Sequence, residues 1–161
     1  MRFMKTIEFL LNKVLFFLMF LIAISVIWQV IARYIFSDPA TWPDEVSRFS
    51  MMWVALLGGV SVYAQGKHLA VTILPEKWAG TMRGHYLQSF FHFLILILGI
   101  LMTYGGFFVA HTNYVNGQLS AVMHLNMGLI YLCVPISGIL IIIYATAFML
   151  CELKASKIKE S

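Results

Sequence analysis

Five of the chain's eighteen formal charges, eleven basic and seven acidic, fall in one stretch, residues 28–53, WQVIARYIFSDPATWPDEVSRFSMMW. They are Arg33, Asp38, Asp44, Glu45 and Arg48, with long apolar runs on either side. An ionisable side chain left at the centre of a membrane helix costs ~2.5–3.5 kcal/mol on insertion scales. Charges at the edge of hydrocarbon therefore need partners or the polar interface, and pairing is the chemistry these residues offer. Asp44 and Glu45 are adjacent, so on a helix they do not face each other and make no catalytic carboxylate pair. Arg48 lies four residues from Asp44 and three from Glu45, within reach of an intrahelical pair. Gln29 and Arg33 are also four apart and share a face. The spacing predicts a charge-paired network of Arg33, Asp44, Glu45 and Arg48, closed partly within the chain and partly by a partner.

Other reactive side chains form no comparable constellation. A membrane b-type haem needs two histidines on different helices at matching depth, and of the five histidines only His92 lies well inside an apolar run. His68 and His85 precede that run, and His111 and His124 follow it. A haem-binding electron-transfer subunit is the alternative reading these histidines raise, and no haem or other cofactor is expected. No chelating spacing for zinc appears, since neither cysteine has a histidine nearby. Cys133 and Cys151 are eighteen residues apart on one predicted helix, a rise of ~27 Å, so they cannot bridge each other. Nucleophile elbow, phosphate loop and acid–base pair are all missing, and an enzyme is not expected. The basic residues form no face with interleaved aromatics, which argues against nucleic acid.

These residues are carried by a membrane scaffold. Apolar residues make up 61% of the 161 and charged residues 11%, against about 45–50% and 25% in soluble domains. Too little polar surface remains to cover a soluble globule. Crossing ~30 Å of hydrocarbon takes about twenty apolar residues, and four runs qualify, approximately 14–34, 46–64, 87–109 and 128–150. The expected fold is a single all-α membrane domain of four transmembrane helices with amphipathic interfacial segments near 3–13 and 67–86. The first apolar run lacks a small-residue cleavage site and is read as a retained span. Thr41-Trp42-Pro43-Asp44 has the form of a capping box with proline in the first turn. Ala55 and Gly59 form a small-xxx-small pair, with Gly58 beside them, which predicts a helix-packing face. Pro135 and Gly138 predict a kink in the last span.

Lysine and arginine counts set the orientation. Nine lie in the N-terminal segment, the 65–86 connection and the tail, against Arg33 and Arg48 on the other side. The positive-inside rule then puts both termini in the cytoplasm and the 28–53 elbow outside. Transporter cores carry polar or ionisable groups at mid-membrane, or broken helices around a midplane site. The four runs hold almost none, so no solute path is expected in this chain.

The order Trp28-Gln29-Val30, Arg33-Tyr34, Pro39, Trp42, Glu45, Arg48 and Trp53, with Leu57-Gly58 behind, resembles the small membrane subunit of tripartite ATP-independent periplasmic (TRAP) transporters, the DctQ type. Lys67-His68-Leu69-Ala70-Val71 is similar to that family's cytoplasmic histidine motif. The resemblance covers the whole chain and is densest over 28–71. Pro43-Asp44-Glu45 stands where the family often has a Glu-Glu pair, which keeps the charge. Thr72 stands where an acidic residue is common, which puts in doubt a carboxylate interaction there. The resemblance implies a scaffold in the bacterial inner membrane, surrounded by lipid and bound to a large membrane subunit. That large subunit would carry sodium and a carboxylate substrate, delivered by a periplasmic substrate-binding protein. It also implies that Gln29, Arg33, Trp42, Asp44, Glu45, Arg48, Trp53, Gly58, Gly59 and His68 serve structure or a partner interface, with sodium held elsewhere than in this chain.

Overall fold

The computed structural model describes residues 2–37, 41–65 and 82–160. Among these residues five helices occur in order: α1 (Arg2–Tyr34), α2 (Trp42–Ala64), α3 (Met82–Val115), α4 (Met127–Tyr131) and α5 (Cys133–Glu160). Four helical segments are long and apolar enough to cross a membrane: Met4–Tyr34, Trp42–Ala64, Ser89–Val115 and Met127–Leu150. The four-helix all-α architecture expected from the apolar runs is therefore present. Most of the connection expected to lie along the membrane surface, residues 67–81, is outside the described residues, as are Lys67-His68-Leu69-Ala70-Val71 and Asp38-Pro39.

The N-terminal segment differs from expectation. Residues 3–13 do not form a separate interfacial element; they are the first turns of a 33-residue helix. No glycine or proline interrupts the sequence there, and the apolar repeat Met4, Ile7, Leu11, Leu15 runs unbroken into the span. Those side chains join the core, with Leu11 buried and Met4, Ile7 and Leu15 packed around it. At 1.5 Å per residue α1 is ~50 Å long.

The core lies where the start of α1, the end of α2 and the middle of α5 meet. Leu11, Leu57, Val60, Tyr63, Tyr144 and Ala145 are its buried centre, and Trp53 and Phe148 pack against it. Polar groups inside are paired, as hydrocarbon demands. The Tyr63 hydroxyl and His92 Nδ1 are 2.8 Å apart, and the His92 ring stacks on Phe148 at a centroid distance of 5.6 Å. Ser61 donates to Asn12 at 2.8 Å, which ties α2 to α1. The Tyr144 hydroxyl donates to the Met4 carbonyl at 3.3 Å.

Helices α3 and α5 are joined more tightly. Gly99, Thr103, Gly106 and Ala110 recur at spacings of four, three and four along α3, which puts them on one line facing the partner helix. A Cβ on Gly138 of α5 would stand 2.8 Å from the Thr103 nitrogen and 2.9 Å from the Gly99 carbonyl oxygen. Backbone meets backbone here, and only hydrogen fits. The kink expected around Pro135 and Gly138 falls at Leu132 instead, between α4 and α5. Proline has no N–H for the carbonyl four residues back. The helix therefore restarts at Cys133, taking Pro135 into its first turn, while Gly138 serves close packing within a continuous α5.

The α2 face expected to pack on another helix meets none among the described residues. A Cβ on Gly58 or Gly59 would meet nothing within 4 Å among the described residues. Gly138→Ala is expected to lower the thermal unfolding midpoint in detergent by several degrees, since overpacking costs about 1–3 kcal/mol. Gly59→Ala in the same isolated chain should leave it unchanged or slightly raised. Equal effects of the two changes on the midpoint would contradict the α3–α5 seam.

Candidate functional site

The end of α1, the first turns of α2 and the connection between α3 and α4 enclose a cleft of about 700 Å³. Its walls include Gln29 and Arg33 from α1, Asp44, Glu45 and Arg48 from α2, and Ala121 and Val122 from the connection. Five of the predicted residues thus come together in one place.

Their pairing differs from the expected network. Arg48 donates to Asp44 at 2.7 Å, an exposed pair one helical turn apart. An exposed i,i+4 pair is worth only ~0.3–0.5 kcal/mol. Glu45 pairs with neither arginine. It is buried, with 8% of its surface exposed, and it accepts from the Ser120 hydroxyl and from the backbone N–H groups of Val122 and Met123, each at 3.0 Å. Position explains the choice. Arg48 lies between the two carboxylates round the helix, about 40° from Asp44 and about 60° from Glu45, and the Glu45 side of it faces the 120–123 turn, whose three donors hold the carboxylate. Arg33 has no carboxylate partner among the described residues.

The capping box does not form either. Thr41 occupies the N-cap position, but its backbone is already helical, at φ −92° and ψ −23°, and its side chain makes no capping hydrogen bond. A capping residue presents its hydroxyl to the first turn from an extended backbone, which that conformation precludes. Pro43 does fall in the first turn and is buried.

The turn that holds Glu45 is built with care. Ser120 N–H donates to the Leu125 carbonyl at 2.8 Å and Met127 N–H to the Gln118 carbonyl at 2.8 Å, closing a small hairpin with a bridge between Leu119 and Asn126. Asn126 Oδ1 accepts from Gly128 N–H at 2.9 Å and caps α4. The Asn116-Gly117 turn signal is confirmed: Gly117 adopts φ 61°, a left-handed conformation that glycine tolerates. Sequence reading missed that this connection receives Glu45. Its one available signal is the lack of any Lys, Arg, Asp or Glu between Ala110 and Asn126, which leaves backbone N–H groups to bind an outside carboxylate.

The remaining predicted residues lie apart from the cleft. Trp42 is 45% exposed. Trp53 packs against the core rather than standing out as a free handle. Gly58 and Gly59 border open space lower on α2, and His68 is outside the described residues. No group of three or more His, Cys, Asp or Glu that could hold a metal occurs among the described residues. Geometrically the cleft is suited to binding through charge and shape: one ion pair, one carboxylate clamped by three donors, and one guanidinium open to an outside anion.

The fold and this cleft define a small helical membrane protein that offers polar and close-packing surfaces at one end. Residues 22–155 match the family described as the DctQ component of tripartite ATP-independent periplasmic transporters, and the chain belongs to that family. It is similar to a Haemophilus influenzae chain carried under the name TRAP transporter small permease protein, with 28% identity over 142 residues and 86% of each chain covered. It is also similar to the sialic acid TRAP transporter small permease protein SiaQ of Vibrio cholerae, with 23% identity over 78 residues, 48% of this chain and 45% of that one.

Glu45→Ala is expected to strand the Ser120 hydroxyl and two N–H groups. Hydrogen exchange at Val122 and Met123 should then speed up markedly, while exchange in the α3–α5 seam stays as it was. Arg48→Ala should change neither. Unaltered protection at Val122 in the Glu45 variant would refute the clamp.

Proposed function

We propose that this chain is the small scaffold subunit of a TRAP secondary transporter. In this reading it binds and stabilises a large membrane subunit, which performs sodium-coupled uptake of a carboxylate handed over by a periplasmic binding protein. The observation that carries the reading is the combination of family membership with four spans whose interior polar groups satisfy one another. Tyr63 with His92, Ser61 with Asn12 and Ser137 with the Cys133 carbonyl at 2.7 Å occupy the polar groups that a solute path would use. Substrate and sodium therefore belong to the large subunit.

The protein sits in the bacterial inner membrane with both termini in the cytoplasm, an orientation supported by nine Lys and Arg on that side. The cleft then opens on the periplasmic side. Gln29 and Arg33 in its wall, the exposed Trp42, and the open Gly58–Gly59 face of α2 serve as contact surface for the large subunit. The ability of Gly58 and Gly59 to admit a neighbouring backbone supports this use, because small residues let membrane helices approach closely. Lipid covers the remaining apolar exterior.

Reconstitution tests the reading. The purified chain alone in liposomes is expected to show no sodium-driven uptake of any carboxylate. Uptake should appear only when the large subunit and the binding protein are added. An absorption spectrum of the same preparation should lack a Soret band; a haem band would favour an electron-transfer subunit instead. Uptake by the chain alone would overturn the scaffold reading.

A further inference from the structure

Helix α1 carries two different exposed faces. Its buried stripe, through Leu11, Ser25 and Ala32, meets α2. Roughly 100° around the helix lie Met19, Ala23, Val26, Val30 and Arg33, all exposed. They recur at spacings of four, three, four and three. Any line of residues along one face of a helix recurs at such spacings, so the size of these side chains is what sets the line apart. Ala23, Val26 and Val30 are smaller than the residues on the neighbouring exposed face, so a partner helix could come close. On the other exposed side, Phe20, Ile24 and Ile27 are bulky, at 57%, 48% and 59% exposure.

The seam ends in the cleft, where Val30 and Arg33 share a wall with Asp44 and Arg48. Both cleft carboxylates are already engaged, Asp44 by Arg48 and Glu45 by the 120–123 turn. Of the cleft's charged side chains, Arg33 is the one with neither a counter-ion nor a clamp among the described residues. Covering it with a neutral surface would leave a desolvated, unpaired guanidinium, a strongly unfavourable arrangement. A carboxylate accepts both arms of the guanidinium at once.

We infer that the Met19–Arg33 face of α1 docks one transmembrane helix of the large subunit, and that this helix carries an Asp or Glu near its outer end that pairs with Arg33. The inference rests on the scaffold reading and adds the surface, the secondary structure of the partner and the chemistry of its anchor.

The test uses the complete complex in native-lipid nanodiscs, with a photoreactive residue placed singly along α1. Positions 23, 26 and 30 should yield adducts with the large subunit, and positions 20, 24 and 27 adducts with lipid. Lipid adducts from both sets, or large-subunit adducts from both alike, overturn the seam. Arg33→Glu should reduce recovery of the complex by at least about tenfold, while Arg33→Lys retains most of it. Unchanged recovery with Arg33→Glu overturns the acidic anchor. Both variants alone should keep the wild-type unfolding midpoint, since Arg33 has no carboxylate partner among the described residues; a fall for Arg33→Glu would assign its effect to folding and also overturn the anchor. Failure is separable from failure of the scaffold reading, because in that case even the wild-type chain captures no large subunit.

Discussion

Inside hydrocarbon, water neither drives helices together nor satisfies a stray polar group, so proximity of backbones has to supply what the hydrophobic effect supplies elsewhere. The line of Gly99, Gly106 and Gly138 answers that constraint. Where Gly138 sits within van der Waals reach of the Thr103 nitrogen and the Gly99 carbonyl, two helices share a contact that no larger residue permits. The α3–α5 pair provides a rigid reference against which the α1–α2 pair is fixed by a few polar ties. Tyr63 to His92 and Tyr144 to the Met4 carbonyl work at one end of the bundle. At the other end, Glu45 reaches across from α2 to the 120–123 turn.

Those ties act on different parts of the molecule. Near the core, the paired polar groups fix the register of neighbouring helices without leaving a donor facing lipid. At the cleft, the carboxylate of Glu45 organises a connection that carries no charge of its own, so the surface there is shaped by one residue from another helix. The same engagement takes Glu45 out of reach of Arg33 and leaves the guanidinium facing outward. Local satisfaction of one charge thus determines the exposure of the other.

Much of the architecture was legible in the chain. The lengths of the apolar runs gave four spans because bilayer thickness fixes the number of residues required, and the order of residues over 28–71 pointed to the family. Reading was weaker where geometry depends on rotation about a helix. Asp44 and Glu45 differ by one residue and therefore by about 100°, enough to send one to Arg48 and the other to a loop 75 residues away. The glycines show the same limit. Gly59 and Gly138 look alike in sequence, yet one borders open space and the other a backbone, a distinction that only the tertiary arrangement makes. The N-terminal segment reads equally as an interfacial lead-in or as the start of the first span, because an amphipathic stretch near a terminus has the same pattern whether its apolar face meets lipid or, as with Leu11, a protein core.

The length of α1 has a consequence for the surrounding bilayer. A helix of 33 residues fits a hydrocarbon layer of ~30 Å only by leaning, by protruding, or by drawing the lipid toward a different thickness. Its first turns are pinned to the core through Leu11 and Met4, so leaning requires the whole bundle to lean with it. A body of this shape imposes its own hydrophobic profile on nearby lipid.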